Sequence, residues 1–503
     1  MPRLVAIGDS LTQGVQSGAV YKTDLSFPAL IAEAMGLRVP RDFQVPGFPW
    51  SGLPLNIEAL LRAMRRKLGS SINPLEWIFE LPFLLADFID DIEDLYERGA
   101  GSKPAAYGGI YHNLAVAGFQ VYHSYTVNSE ICQRQIEEDE GSIEDDLLKI
   151  PSASMYRIAQ RVLNPKQLND GRQCWTQIDN LCRLDTRADP VENLILFLGA
   201  NDCLGTVRDL EVRDMPELSE MPKDCDAYEL IRWRDEYNLT SETVFEHDYQ
   251  RMVDQVAAAI SKETNVFVGN LPYVTIPPIT QAISGEDDRE HNGRQYYTYY
   301  GTFFANRDNF TTQNRHLTGS QVRCVDDRID RFNEIIDGIV KEQRETHNRN
   351  WHVVDICSLL NKLAFKRNMD VHFPQIPLHQ YLTKEGDPNH PLLDEDLRPT
   401  PNVLRFETAD SQRMGGGLFS LDCFHPTTIG YGLIAEVFLH KMGNTKRKTG
   451  NANVIDAKSV RLNWKNIIER DGLIRNPPVL WDDIIAAAEA NPRLADLLYR
   501  VLI

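Results

Sequence analysis

Short apolar runs recur at wide intervals along the chain, at 4–7, 114–117, 194–198, 266–268 and 353–356. Each is bounded by polar or turn-forming residues, and most run into Gly or Asn. A strand with one wet face alternates in polarity. A run that does not alternate, and is too short for a helix, is read as a strand covered on both faces. Helical patterns lie between several of these runs, at 27–35, 249–262 and 320–344. Strands alternating with helices predict a parallel sheet in an α/β sandwich. The intervals are too long for simple crossovers. They predict one domain over 1–443, with insertions near 37–107, 123–190, 204–245, 276–318 and 365–418, and a helical extension over 444–503. Long loops in a compact domain are often lids or binding walls.

Composition narrows the class. The chain has 503 residues, 42% of them hydrophobic and 25% charged, as in an ordinary soluble globular protein. Its net charge of −19 opposes sequence-independent binding to nucleic acid, because phosphates are repelled. The most apolar longer stretch, 77–89, is interrupted by Glu80, Pro82 and Asp87 and is too short to span a bilayer. The eight cysteines are scattered without a C-x-x-C pair, so neither a zinc site nor a disulfide framework is indicated; Cys174 and Cys182 are the nearest pair. Met1-Pro2-Arg3 runs straight into the first strand with no leader-like segment. The expectation is a cytoplasmic protein, or a secreted one whose leader was removed.

Four signals carry chemistry. Ile7-Gly8-Asp9-Ser10-Leu11 places a serine just past a buried strand, where open α/β sheets bind ligands. Asn113 to Gly118 ends a second strand on a glycine whose N–H can approach a ligand closely. Gly199-Ala200-Asn201-Asp202 ends a third, with an amide that can donate to an oxyanion. Asp422-Cys423-Phe424-His425-Pro426 sets a carboxylate three residues from an imidazole, with Pro426 at the first position of a following helix. Such a carboxylate fixes the imidazole's tautomer. Alone, each signal is ordinary turn or cap chemistry.

Together and in this order, they resemble the SGNH (GDSL) esterases and lipases. G-D-S-L stands at Gly8–Leu11, G-x-N-D at Gly199–Asp202 and D-x-x-H-P at Asp422–Pro426. Gly269-Asn270-Leu271-Pro272 is similar to the family's strand-end N-x-P, and the run Gly416 to Leu421 to that of large bacterial members. The resemblance implies a three-layer α/β/α sandwich of the flavodoxin-like SGNH type, with a five-stranded parallel sheet. It implies Ser10 as nucleophile, His425 as base, Asp422 as its orienting carboxylate, and Gly118 and Asn201 as oxyanion donors, with no metal and no organic cofactor. Gly109 is an alternative to Gly118. Cys423 departs from the family, which often has Gly there.

The expected substrate is a small-molecule or lipid ester, and the expected activity is that of a lipase, esterase or lysophospholipase. A carbohydrate O-acetyl esterase, an acyltransferase and a catalytically silent binding protein of the same fold are the alternatives. The stretch 74–95 reads as an amphipathic lid or a packing helix. The tyrosines of 295–300 read as a groove lining or part of a small hairpin. Asp9 and Asp202 read as scaffold carboxylates that bond nearby backbone N–H groups.

Overall fold

The computed structural model describes residues 4–69, 81–140, 151–223, 225–283, 289–291, 294–305, 310–364, 397, 399–409, 412–449 and 452–502. The first part of the 74–95 stretch, the end of the acidic run 137–146 and most of the 365–418 insertion lie outside them.

Four of the apolar runs form one sheet: β1 (Leu4–Gly8), β2 (Asn193–Phe197), β3 (Asn265–Gly269) and β4 (Asn350–Val354). They are parallel and lie in that order, with Leu4 opposite Asn193 and Gly8 opposite Phe197. Every residue of β1, β2 and β3 is buried, which explains why none alternates in polarity.

The fifth expected strand is not formed as such. Residues 112–116 run alongside the free edge of β1, with Ala6 N–H donating to His112 O (2.8 Å), Leu114 N–H to Ala6 O (2.8 Å) and Val116 N–H to Gly8 O (3.1 Å). Only Ala6 and Asn113 pair as a bridge. Asn113 Oδ1 takes the N–H of Ala115, which faces away from β1, at 3.2 Å. The buried Gln177 side chain also ties the two edges, donating to Gly8 O (3.0 Å) and Leu114 O (2.8 Å).

This order has a consequence for function. From β1 the chain passes first to one side, through 112–116, and then to the other, through β2. The carboxyl end of β1 is therefore the switch point, where a crevice opens in parallel α/β sheets.

The helices used below are α1 (Ser10–Gln13), α2 (Phe27–Ala34), α3 (Gln177–Leu184), α4 (Asn201–Asp209), α5 (Glu242–Ala259), α6 (Gly319–Glu345), α7 (Ile356–Leu363) and α8 (Thr428–Asn444). Phe27 of α2 stacks on Phe438 of α8 at 4.9 Å, and both rings meet Phe197 of β2. Phe245 of α5 stacks on Phe332 of α6 at 3.7 Å. Burying each such ring contributes roughly 1.5–3 kcal/mol. Capping boxes start α3 (Thr176 with Asp179) and α6 (Thr318 with Gln321).

The last sixty residues pack onto the elements of the site. Trp464 lies so close to α8 that a Cβ on Gly432 would meet its ring at 2.7 Å. Asp471 accepts the N–H of Ile429 at 3.1 Å, and Tyr499 OH donates to Arg208 O on α4 at 2.8 Å. The expected helical extension ends in two helices, Trp481–Ala490 and Pro492–Leu502, separate because Pro492 has no N–H to continue the first.

Candidate active site

β1 ends on a glycine for a steric reason. A Cβ on Gly8 would lie 2.1 Å from Thr12 Oγ1 and 2.7 Å from Phe197 O, so no other residue lets α1 fold back against β2. Asp9 then caps α1, its carboxylate accepting the N–H of Leu11 at 3.0 Å. Ser10 is the first residue of the helix and only 6% exposed. Its N–H belongs to the first turn, which has no intrahelical acceptor.

A second loop end lies beside it. Val116 O accepts the N–H of Phe119 at 3.2 Å, and Gly118 between them has φ +85°. That is the pattern of a type II turn, with glycine where positive φ is required. The N–H of Gly118 carries no hydrogen bond among the described residues. Asn201, first residue of α4, donates from Nδ2 to Phe119 O at 2.9 Å, leaving its second amide hydrogen free. Gly109 lies before residue 112, toward the opposite end of β1 from Ser10, and is not placed to serve the same role.

The third part is the loop before α8. Asp422 is fully buried and accepts five hydrogen bonds. Its Oδ1 takes those of Ser420 Oγ (3.1 Å), Phe424 N (3.1 Å) and His425 N (2.9 Å). Its Oδ2 takes those of His425 Nδ1 (2.9 Å) and Gly18 N (2.6 Å). Burial alone would raise its pKa, but the imidazole and these donors hold it below the usual carboxylate value. His425 is 6% exposed, and its Nε2 is buried without a hydrogen-bond partner among the described residues. No hydrogen bond yet joins it to Ser10, a common condition of unliganded sites.

Two sequence readings of this loop need correction or completion. Pro426 is not the first helical residue: Thr427 caps α8, with Oγ1 accepting the N–H of Gly430 at 3.2 Å, and Pro426 pairs instead with Phe419. Cys423, the departure from glycine, is buried and has φ +65°, the left-handed region that favours glycine.

Sequence reading missed the hairpin Val15–Val20, which joins the Ser10 helix to the Asp422–His425 loop. Its tip, Ser17 (φ +50°) and Gly18 (φ +82°), is a two-residue turn of the I′ kind. Gly18 N–H bonds Asp422, Ser17 N–H bonds Ser420 Oγ at 2.7 Å, and Tyr431 OH bonds Val15 O at 2.6 Å. The Ser-Gly pair between Val-Gln and Ala-Val was the available signal.

Ser10, Asn201 and His425 line one cleft, of about 820 Å³ counting its open mouth. Its walls are apolar: Leu359, Leu360 and Leu363 from α7, Leu433 and Ile434 from α8 and Leu204 from α4, with the rings of Tyr273, Phe419 and Phe424. Gly118 is exposed and does not line it; its link to the cleft runs through Phe119 O and Asn201. Asn270 props one wall, donating to Asp355 at 2.9 Å and accepting the N–H of Cys357 at 2.8 Å.

Two expected features lie elsewhere. Helix Leu81–Glu93 buries Leu85, Phe88, Ile89 and Ile92 in the core, and none of its described side chains lines the cleft. The tyrosines do not line it either: Tyr296 OH bonds Asp326 at 2.8 Å, and Tyr300 OH accepts the N–H of Tyr297 at 3.1 Å.

Two more buried carboxylates stand behind the site. Asp202 accepts the N–H of Val121 (3.1 Å) and Thr240 Oγ1 (3.0 Å). Burial pushes Asp9 and Asp202 up to about 7 each, with each raised further by a neighbouring carboxylate. Among the described residues, no group of three or more His, Cys, Asp or Glu side chains is placed to hold a metal ion, and no helix is long and apolar enough to cross a membrane.

A parallel α/β sheet whose switch point gathers a serine, a carboxylate-held imidazole and an asparagine in one cleft has the layout of a serine-type hydrolase. The chain belongs to the GDSL-like lipase/acylhydrolase family, whose model matches residues 4–438. Membership supports an ester-hydrolysing function in general. No curated protein and no solved structure matches the chain.

Proposed function

We propose that the protein hydrolyses carboxylic esters with an apolar acyl chain, through an acyl-enzyme on Ser10. Ser10 Oγ attacks the ester carbonyl and gives its proton to His425 Nε2. The oxyanion takes hydrogen bonds from the N–H groups of Ser10 and Gly118 and from Asn201 Nδ2. His425 then protonates the departing alkoxide, and water releases the acid by the same steps in reverse order. Asp422 keeps the proton of the neutral imidazole on Nδ1 and stabilises the imidazolium.

The observation that carries this reading is the shared cleft. Ser10 and an imidazole with a buried, unpartnered Nε2 among the described residues face a space walled by leucines and other apolar side chains. Such walls suit an acyl chain and offer an acetylated sugar few partners.

The test is a pH-stat assay of short, medium and long acyl esters beside acetylated sugars. The expected result is a kcat/KM that rises from acetyl to longer chains and vanishes in Ser10→Ala. Preference for acetate alone defeats the acyl-chain reading, and activity that survives Ser10→Ala defeats the nucleophile.

A further inference from the structure

The hydrogen bonds between β1 and 112–116 climb in regular steps, the last running from Val116 N–H to Gly8 O at 3.1 Å. One residue later β1 is gone, because the chain has turned at Asp9 into α1. Donors in this ladder alternate, 114 and then 116, so the N–H of Ala117 faces away from β1. It is met by a side chain: Gln13 Oε1 accepts it at 2.8 Å. Gln13 is fully buried, and its Nε2 has no hydrogen-bond partner among the described residues. The bond to Ala117 is therefore the one polar contact through which its amide is engaged there.

Its position in the chain gives this bond a purpose. Gln13 is the last residue of the short helix that Ser10 begins. Ala117 is the second residue of the Val116–Phe119 turn, and its own torsions aim the N–H of Gly118. Asn201 holds the far side of this turn through Phe119 O. The turn is thus clamped between the nucleophile helix and α4.

We infer that Gln13 is a positioning residue, which holds the Ala117–Gly118 turn in register with Ser10 so that their two N–H groups address one oxyanion. The inference rests on the reading of Ser10 as nucleophile given above. Gln13 touches no reacting atom, so its effect falls on the transition state, where the oxyanion forms, and spares substrate binding.

Three variants test it. Gln13→Ala removes the acceptor. Gln13→Asn keeps the amide but is one methylene too short to reach. Gln13→Ala/Ala117→Pro replaces the hydrogen bond by a ring that fixes φ near −65°, at the turn position where proline is favoured.

The expected result for Gln13→Ala and Gln13→Asn is a kcat lower by about tenfold to a hundredfold, short of the 10²–10³ typical of a deleted oxyanion donor. KM should stay within about threefold, and a boronic-acid transition-state analogue should weaken by the same factor as kcat. The added proline should restore most of the loss. Should Gln13→Ala fail to fold, Gln13→Asn carries the test alone.

A kcat within about threefold of the parent in a folded variant overturns the inference, as does a loss that appears wholly in KM. Fluorophosphonate labelling of Ser10 in the unaltered protein separates the two levels. If Ser10 labels and Gln13→Asn keeps full kcat, only the role of Gln13 falls. If Ser10 does not label, the reading beneath it falls.

Discussion

Replacing Asp422 by Asn tests the acid–base loop most sharply, because the structure dictates how the amide must sit. The two carboxylate oxygens face different partners: Oδ1 meets three donors and Oδ2 meets two, His425 Nδ1 and Gly18 N. An asparagine keeps its oxygen toward the three and turns its NH₂ toward the two. Gly18 N–H, now 2.6 Å from a nitrogen, loses its acceptor, at a cost of about 1–3 kcal/mol of stability. His425 avoids a donor–donor contact by accepting at Nδ1, which moves its proton to Nε2. That nitrogen can then no longer take the proton of Ser10. The equivalent change in a Ser-His-Asp site lowers kcat about 10⁴-fold, or about 5 kcal/mol of barrier. The assay is kcat on a p-nitrophenyl ester beside a thermal melt of each variant. A folded Asp422→Asn protein that keeps more than a tenth of the parent kcat refutes this account of the loop.

Three further outcomes follow from the geometry. Asn201→Ala should lower kcat by on the order of 10²–10³, since it removes an oxyanion donor and the tie to Phe119 O together; a steady-state loss below about tenfold would exclude Asn201 from the oxyanion hole. Asp202, whose folded pKa is pushed up to about 7, binds more protons folded than unfolded between pH 4 and 7. Its contribution is therefore present at low pH and lost as pH rises through that range, with a slope of up to about 1.4 kcal/mol per pH unit. Asp202→Asn should gain stability relative to the parent from pH 4 to pH 7, and chemical denaturation series that stay parallel would contradict this. Cys423→Gly relieves a left-handed φ of +65°, worth about 1 kcal/mol, against the loss of a small buried side chain; it should melt within a few degrees of the parent and keep its activity, whereas a large loss of kcat would give the thiol a direct part.

Much of this fold could be read in the chain because three of its four sheet strands are wholly buried, and so announce themselves as short apolar runs. Four of five such runs became strands, with ends within a few residues of those expected. The run at 114–117 pairs with β1 over a single bridge and turns away at Val116–Phe119, because the length of a pairing depends on partners and turns that an apolar run does not reveal. Helix 249–262 was placed late, since its cap at Ser241 and first turn lie in a polar stretch with weak periodicity.

The meeting of Ser10, Asn201 and His425 in one cleft, with Asp422 bonded to the imidazole, was legible because each stands at a strand end or a fixed spacing. The supports were not. Gln13, Ser17, Gly18 and Gln177 act across separations of tens to hundreds of residues, and no local pattern marks a glutamine that accepts a backbone N–H from so distant a segment. The leucines of α7 and α8 carry no mark in the sequence that sets them apart from core residues. Only the fold shows that some of them wall a cleft.

The central claim is that Ser10 is a nucleophile activated by His425. Fluorophosphonate treatment of the folded protein, followed by peptide mass mapping, addresses it directly. The account predicts a single covalent adduct on Ser10 that disappears in His425→Ala. No adduct, or one carried by another residue, would contradict it.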